Sequence, residues 1–306
     1  MKICPACMGG SIGYPRVCAE CGADLSESPD RKGTQLEGLV VERKVKLVEF
    51  IGEGAMGWVY RGQHLNLDSS VAVKLMKPTG DPDGSDINDR RFAQEARSAS
   101  RLNSPHVISI MDFGRTPGGL LFIVSEFLRG FTLTDLLTEH GAMPVGRALS
   151  IADQILQGLE EAHAAGLIHR DMKPDNIMIT SLRSGEDFVK ILDFGIAKLS
   201  GPGDGARLTQ QGQVIGTPTY MSPEQIRGRD VRETADLYSL GAMLFEMLTG
   251  RPPFDSESVM EVLAMHLSTP PPRLREVAPE RALPEALEAV LLRTLAKPAE
   301  ERFQSA

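Results

Sequence analysis

The sequence predicts an α+β protein whose strands gather in the first part of the chain and whose helices gather in the second. Short β-favouring segments recur between Val45 and Leu128, whereas helical spacing of apolar residues dominates from Arg147 onward. All four cysteines lie within the first 21 residues. We therefore expect a β-rich part and a helical part, with a small cysteine-rich module in front of both.

Length and charge exclude several classes of protein. The chain has 306 residues, of which 42% are hydrophobic and 24% are charged, which exceeds the usual size of one compact domain. A formal net charge of −8 argues against a nucleic-acid binder, because such modules present a basic face. Two or three folding units are expected, and nucleic acid is not the expected partner.

The sequence contains no recognisable membrane or export segment. No run approaches the roughly 18 apolar residues of a membrane-spanning helix, and the first residues lack the apolar core of a signal peptide. A cytoplasmic location is therefore expected. A helical pattern is still running at Arg302 to Ala306, so the last domain is expected to be cut short at its carboxyl end.

The cysteines form two C-x-x-C pairs, Cys4 with Cys7 and Cys18 with Cys21. Two such turns bring four thiolates into a tetrahedral cage, which suits Zn²⁺ and leaves no open position for chemistry. We interpret residues 1–24 as a structural zinc ribbon, with two disulfides or an iron–sulfur cluster as the alternatives. Because so short a module has little core, a chelator is expected to unfold this module alone.

Residues 25–43 separate the ribbon from the first predicted strand. The stretch from Ser26 to Thr34 has no apolar periodicity, which is typical of a linker. The ribbon is therefore expected to move relative to the rest of the chain. Its role as a protein-binding module, a nucleic-acid reader or a structural cap stays open.

A glycine-rich loop, Gly52-Glu53-Gly54-Ala55-Met56-Gly57, follows the first predicted strand. A dinucleotide-binding loop with the same glycines would open a helix. Here the run from Trp58 to Tyr60 is β-favouring, so the loop is interpreted as the turn of a hairpin. Without side chains in the way, backbone N–H groups of such a turn can approach phosphates closely.

The next predicted strand, Val71 to Leu75, places Ala72 and Lys74 on one face. Ala72 can form the floor of an adenine pocket beside an ammonium group aimed at phosphate, although a solvated strand lysine is the alternative. Glu95 lies in a helical segment further on and can pair with Lys74. The alternative is a surface pair with Arg91, four residues before it on the helix.

The run from His169 to Asn176, together with the later Asp193-Phe194-Gly195, carries the chemistry of phosphoryl transfer. Asp171 can accept or orient the proton of a hydroxyl group, and Lys173 can neutralise the transferring phosphate. Asn176 and Asp193 can hold Mg²⁺. The combination indicates an enzyme more strongly than either motif alone.

In this order, the motifs resemble those of the eukaryotic-like (Hanks-type) Ser/Thr protein kinases of bacteria. The resemblance covers about Lys44 to the end and includes Gly216 to Glu224, the segment that closes the activation loop, with Ser222 where the family pattern has Ala. It implies a two-lobed protein kinase fold with ATP between the lobes, the small lobe at 44–128 and the large lobe at 129–306. A zinc ribbon would precede the kinase domain.

The resemblance also implies roles for individual residues. Asp171 is the base or orienter, Lys173 and Thr217 favour a Ser or Thr acceptor, and Glu95 holds Lys74 on the α- and β-phosphates. The residues expected to bind ATP or its Mg²⁺ (or Mn²⁺) are Ile51, Gly52, Glu53, Gly54, Ala55, Met56, Gly57, Val59, Ala72, Lys74, Glu126, Leu128, Asn176, Met178 and Asp193.

Regulation is predicted at the activation loop. Arg170 precedes the catalytic Asp171 and, by the resemblance, pairs with a phosphorylated residue of that loop. Of the hydroxyl residues before Thr217, Thr209 lies at the more plausible distance from the motif, and autophosphorylation there is predicted to activate the enzyme.

Three functions compete at this level. An active kinase acting on protein Ser and Thr residues leads, because Lys74, Asp171, Asn176 and Asp193 are all present. A catalytically silent binding scaffold of the same fold is the second, and an adaptor built around the zinc ribbon is the third. A P-loop ATPase is excluded because no G-x-x-x-x-G-K-[ST] motif occurs.

Overall fold

The computed structural model describes residues 1–12, 15–54, 56–78, 85–194 and 218–306. The chain divides into two compact units. One is formed by residues 1–101 and 109–128, and the other by residues 102–108 and 129–306.

The first unit begins with the cysteine module, in which two short strands, β1 (Lys2–Ile3) and β2 (Gly10–Ser11), pair antiparallel. Among its described residues, six further strands form one antiparallel sheet in the order β3-β4-β5-β6-β8-β7. They are β3 (Val40–Val41), β4 (Val45–Glu53), β5 (Gly57–His64), β6 (Ser69–Met76), β7 (Ile110–Arg115) and β8 (Leu121–Glu126).

The two faces of this sheet differ in polarity. Val71, Val73 and Leu75 alternate along β6 and are buried on what is here called the back face. Ala72 and Lys74 point to the opposite, front face, as the sequence analysis predicted. Cross-strand register keeps each set together, because Tyr60 pairs with Val73 and the front-face Val59 pairs with Lys74.

A helix, α1 (Ser85–Ala99), follows β6 in the chain. Pro, Gly and Asp are frequent between Pro78 and Asn88, a composition that by itself predicts a loop. The helix instead begins at Ser85, since Ser and Asp are favourable residues at a helix start as well as in turns.

The segment between the cysteine module and β4 is not the loose connection that its composition predicted. Leu36, Leu39 and Val41 are each about 1% exposed and belong to one hydrophobic cluster with the back face of the sheet. The stretch from Ser26 to Thr34 suggested a linker, but the apolar residues after it form core contacts. The domain boundaries themselves stay a prediction.

The second unit is mainly helical in the residues described. Three short strands form a sheet in the order β11-β10-β9. These strands are β9 (Phe131–Thr132), β10 (Ile177–Ser181) and β11 (Asp187–Ile191). The helices are α2 (Leu133–His140), α3 (Val145–Ala164), α4 (Pro223–Ile226), α5 (Glu233–Thr249), α6 (Val259–Ser268), α7 (Leu274–Val277) and α8 (Glu285–Thr294).

The core of the second unit surrounds α5. Every residue from Thr234 to Phe245 is buried, as the apolar sequence of this helix predicted. α3 packs against α5 and β11. Its end near Gly166 also agrees with the sequence, because this glycine has a φ of 75° that favours glycine over other residues.

None of the helices in the described part of the chain is both long enough and apolar enough to cross a lipid bilayer.

Candidate active site

The loop before β10 holds the predicted catalytic residues close together. Lys173 Nζ lies 2.9 Å from Asp171 Oδ2. Asn176 donates from Nδ2 to the backbone carbonyl of Asp171 at 2.7 Å and to its Oδ2 at 3.2 Å. With Nδ2 committed to Asp171, the Oδ1 atom of Asn176 is the group suited to a metal ion.

A buried carboxylate fixes the backbone of this loop. Asp236 is 1% exposed near the start of α5. Its Oδ2 accepts the backbone N–H of His169 and its Oδ1 accepts the N–H of Arg170, both at 2.8 Å. His163 Nε2 lies 2.9 Å from the same Oδ2. Charge-assisted bonds of this kind are stronger than bonds between neutral groups.

The imidazole of His169 connects the catalytic loop to the strand end that carries Asp193. Its Nε2 lies 2.7 Å from the carbonyl oxygen of Leu192, and its Nδ1 lies 3.2 Å from the backbone N–H of Asp171. A carbonyl can only accept and an N–H can only donate, so the ring is neutral with its proton on Nε2. Phe194 packs edge-on against the ring at 4.7 Å.

Two positions with predicted functions adopt left-handed backbone conformations. Arg170 has a φ of 67° and Asp193 a φ of 60°. Such conformations are uncommon for residues other than glycine and persist where the surroundings fix them. Arg170 directly precedes the predicted base Asp171, and Asp193 is itself a predicted Mg²⁺ ligand.

The glycine-rich loop joins β4 to β5 as a hairpin, as predicted. Gly57 requires its small size, because a Cβ there would lie 2.3 Å from the carbonyl oxygen of Leu75. Gly52 and Gly54 have open space at the Cβ position. Open space above a backbone is what close approach of a phosphate requires.

The other expected nucleotide contacts in the first unit are distributed as follows. Ile51 is exposed and Met56 half-buried beside the loop, while Ala55 lies outside the described residues. Glu53 forms an ion pair with Lys77 at 2.6 Å, which lowers the pKa of the Glu53 carboxyl. The Glu53 side chain is thus paired with a lysine that follows β6.

Lys74 lies on β6 and Glu95 lies half-buried on α1, so both belong to the first unit. Glu126 ends β8, and its backbone N–H donates to Ser109 O at 3.1 Å. Its carbonyl is therefore the backbone group suited to an adenine amino group. The pairing of Lys74 with Glu95 and the adenine contacts of Glu126 and Leu128 stay predictions.

Residues 218–226 lie against the catalytic loop and α5. The side chain of Ser222 caps α4 with Gln225, and Gln225 Nε2 donates to Arg170 O at 2.6 Å. Ser239 Oγ donates to Tyr220 O at 2.7 Å, and Tyr220 OH donates to Glu246 Oε2 at 2.5 Å. Burial raises the pKa of the Glu246 carboxyl.

A chain of oriented hydrogen bonds reaches the same segment from α6. Lys297 Nζ donates to Tyr238 OH at 3.3 Å, and Tyr238 OH lies 2.8 Å from Nδ1 of the fully buried His266. The Nε2 of His266 lies 3.0 Å from Thr219 O. Burial lowers the pKa of His266 to about 4, so the ring is neutral, accepts from Tyr238 and donates to Thr219.

The end of this segment is fixed by a buried ion pair. Arg302 donates to both carboxylate oxygens of Glu224, at 2.8 and 2.9 Å, and also to Thr234 O at 3.0 Å. The Arg302 side chain is fully buried. Both charges are therefore paired and hydrogen-bonded, which a buried pair requires.

The four cysteines converge as the sequence analysis predicted. Their sulfur atoms all lie within 4.8 Å of one another, with Cys4 and Cys21 at 3.6 Å and Cys7 and Cys18 at 3.7 Å. Zn–S bonds of about 2.3 Å in a tetrahedron place sulfur atoms about 3.8 Å apart, so this cage fits zinc. A disulfide would need about 2.05 Å.

The positions of Asp236, Gln225 and His266 beside the site are not predicted by the sequence. Asp236 could have been noticed as an acidic residue within an otherwise apolar, buried helix. His266 carries no such signal, because a lone histidine in an amphipathic helix is not distinctive. Thr209, Gly195 and Thr217, which the sequence analysis also named, lie outside the described residues.

Comparison with known proteins agrees with this geometry. A model of the protein kinase domain matches residues 45–305. The chain belongs to the protein kinase family. The predicted family and the two-lobed fold class are thereby confirmed.

Bacterial Ser/Thr kinases are among the similar proteins. The serine/threonine-protein kinase pkn3 of Myxococcus xanthus is 42% identical over 270 residues, which cover 88% of this chain and 49% of that kinase. The serine/threonine-protein kinase PknD of Mycobacterium tuberculosis is 38% identical over 262 residues, covering 85% of this chain and 38% of that kinase. The chain thus spans about half the length of the first relative and less of the second.

A solved kinase structure supports the fold. The crystal structure of Rad53 residues 1–466 in complex with AMP-PNP aligns with a TM-score of 0.69 and 24% sequence identity, covering 85% of this chain and 62% of that one. At this sequence identity the structural similarity supports the fold and nothing more.

Proposed function

We propose that the chain is a Ser/Thr protein kinase that transfers the γ-phosphoryl group of ATP to protein hydroxyls. The observation that carries the proposal is the position of the Asp171 carboxylate between Lys173 and Asn176 in a loop held by the buried Asp236. The similarity to kinases named for Ser/Thr specificity supports the choice of acceptor.

Each side chain of the loop has a distinct part in the reaction. Asp171 accepts a hydrogen bond from the acceptor hydroxyl and orients it. It takes the hydroxyl proton as the new O–P bond forms, while the bond between the γ-phosphorus and the β–γ bridging oxygen breaks and ADP leaves. Lys173 lies close enough to Asp171 to place a positive charge beside the transferring phosphoryl group. Lys74 and its proposed partner Glu95 orient the α- and β-phosphates.

A divalent cation fits the remaining groups. Asn176 offers Oδ1 and Asp193 offers a carboxylate, and Mg²⁺ or Mn²⁺ prefers oxygen ligands of this kind. When bound, the ion neutralises phosphate charge. The front face around Val59 and Ala72, with the glycine-rich loop, is the proposed nucleotide site of the first unit. Met178 on β10 stays a predicted nucleotide contact.

We also propose that Cys4, Cys7, Cys18 and Cys21 hold one structural Zn²⁺. The sulfur distances support a closed tetrahedral site rather than disulfides. No coordination position is left for a substrate, so the metal stabilises and does not react.

Activation by autophosphorylation at Thr209 forms part of the proposal. Gln225 and Asp236 hold the backbone of Arg170 on both sides. A backbone fixed at both its N–H and its carbonyl supports the proposed role of Arg170 in binding a phosphate on Thr209. A cytoplasmic location likewise stays a prediction.

The decisive experiment compares Asp171→Asn with the matched control Asp175→Asn. Asp175 lies exposed in the same loop, so the control makes the same chemical change without altering the proposed base. With Mg-ATP and a generic basic protein, Asp171→Asn is expected to reduce phosphate transfer by at least about 10²-fold, since general base catalysis contributes on that scale.

Equal transfer by the wild type and by Asp171→Asn would contradict the proposed activity. Transfer to tyrosine in place of serine and threonine, read by phosphoamino-acid analysis, would contradict the proposed specificity.

A further inference from the structure

Residues 1–41, here called the cover, share a hydrophobic core with the back face of the sheet. Ile3, Leu36 and Leu39 of the cover are buried in that core. On the sheet side the same cluster contains Val45, Leu47, Tyr60, Val71, Val73, Leu75, Leu120, Phe122 and Val124. The cover therefore shields from water the face opposite the one that carries Lys74.

Tyr60 bonds to the cover through both functions of its hydroxyl group. The OH donates to Gly33 O at 2.7 Å and accepts the backbone N–H of Leu36 at 3.0 Å, and the side chain is fully buried. Trp58 packs on Gly33 so closely that a Cβ there would lie 2.0 Å from the indole ring. Separating the cover would leave a buried hydroxyl without partners, which is costly.

The cysteine module touches the sheet a second time, at the turn between β7 and β8. The N–H of Ile12 donates to Gly118 O at 3.0 Å. A Cβ on Gly118 would lie 1.8 Å from Gly10 O, so the two backbones are in close contact. Gly10 also packs against Leu39 and Leu120. The module thus touches the hairpin turn and the rest of the cover together.

The cysteine cluster connects directly to these contacts. Leu25 is fully buried against Cys4 and Cys18. Met8, in the first cysteine turn, accepts the N–H of Val40 of β3 at 2.8 Å. β3 in turn pairs with β4. The four-cysteine cluster is therefore connected to the edge of the sheet through the contact between Met8 and β3.

We propose that the cover is an integral part of the small lobe and that its metal sets the stability of the nucleotide-binding sheet. The inference rests on the zinc site and the nucleotide site proposed above. Because the ion binds only the folded module, its binding free energy stabilises whatever is folded with that module. Metal loss would then loosen the sheet as well as the ribbon, in contrast to the expectation from sequence that the module alone unfolds.

Hydrogen–deuterium exchange on the full chain tests this directly, with zinc content measured in the same samples. The chain as purified is expected to contain one equivalent of zinc. After removal by a chelator, amides in β4, β6 and β8 are expected to exchange at least about ten-fold faster, and those in α5 at an unchanged rate. Added zinc should restore protection, and an ATP analogue should bind more weakly to the metal-free chain.

A pair of matched variants tests the coupling in the opposite direction, from the sheet to the metal. Tyr60→Phe keeps the ring and removes both bonds to the cover, whereas Tyr220→Phe removes a buried tyrosine hydroxyl from the second unit. Zinc release to a colorimetric chelator is expected to be several-fold faster in Tyr60→Phe, on the scale of about 1 kcal/mol for a lost hydrogen bond, and unchanged in Tyr220→Phe.

These experiments distinguish a failure of the proposed coupling from a failure of the zinc site or of the kinase activity. Zinc release with unchanged exchange in the sheet, or equal release rates in both variants, would overturn the coupling and leave the zinc and kinase proposals standing. A purified chain without bound metal would overturn the zinc site and the coupling together, whatever the phosphoryl-transfer assay shows.

Discussion

The buried carboxylate of Asp236 accepts the backbone N–H of Arg170 at 2.8 Å. Arg170 has a left-handed backbone, and the residue after it is the proposed catalytic base. A hydrogen bond from the buried helix α5 therefore stabilises the unfavourable backbone conformation of Arg170, next to the proposed catalytic base.

Asp236→Asn is expected to reduce kcat by at least about ten-fold, because an amide can accept only through one of its two terminal atoms and one loop N–H loses its partner. The KM for ATP should change little. The measurement is steady-state kinetics with varied ATP and varied protein substrate. Asp153→Asn, at an exposed acid on α3, is the control. A fall in unfolding midpoint with unchanged kcat would assign Asp236 to stability alone.

Breaking the Arg302–Glu224 pair is expected to destabilise the second unit strongly. Arg302→Met leaves the Glu224 carboxylate buried without its partner, at a cost of about 3–5 kcal/mol in free energy of unfolding. Glu224→Gln combined with Arg302→Met should cost less than the sum of the single changes. Urea unfolding of the four chains gives the coupling energy, and additive effects would contradict a direct interaction.

The stability of the chain should fall between about pH 6.5 and pH 4 through His266. Burial lowers the pKa of this ring to about 4 in the folded protein, whereas the unfolded chain binds a proton near its usual pKa. The stabilisation is therefore complete above the unfolded pKa and is lost as the pH falls through the folded one. Burial lowers the pKa of Lys297 to about 7, so the contribution of Lys297 to the pH dependence of stability falls in a separate range at higher pH.

His266→Gln keeps a donor and an acceptor but does not titrate. The difference in free energy of unfolding between about pH 7 and about pH 5 should be about 2 kcal/mol smaller in this variant than in the wild type. His140→Gln, at an exposed position, should leave the difference unchanged. Identical pH profiles for wild type and His266→Gln would show that the ring does not carry this dependence.

Thr209→Ala is expected to lower activity by about ten-fold, the scale on which ordering a loop by a phosphate acts. Phosphopeptide mapping of the active protein should find phosphate on Thr209. Ser200→Ala serves as the comparison, because Ser200 is the other hydroxyl residue between Asp193 and Thr217. Active protein with an unmodified Thr209 would contradict the proposed switch.

The grouping of the predicted catalytic residues in one loop could be predicted because these residues are close together in the sequence. Asp171, Lys173 and Asn176 lie within six positions of one another, and their spacing alone places them together. Asp236 and Gln225 act on the same loop from more than fifty residues away, and nothing in a single sequence pairs them with it.

The position of the cover was missed for a different reason. The polar stretch from Ser26 to Thr34 suggested a linker, whereas Leu36 and Leu39 already offered apolar residues for burial. Their destination could not be inferred, because the contacts that bury them involve strands spread from β4 to β8. The composition of a segment indicates how much conformational entropy is lost when the segment becomes ordered. It does not indicate which surface the segment packs against to offset that loss.

The burial of Ile3, Leu36 and Leu39 has a practical consequence for anyone isolating the catalytic region. A chain trimmed to the family match would start at Val45 and lack β3, which pairs with β4. The trimmed chain would expose to water an apolar surface and the unpaired edge of β4. Such a fragment would be prone to aggregation during expression. Poor solubility of the trimmed chain would then reflect a missing part of its core and not a defect of the kinase domain.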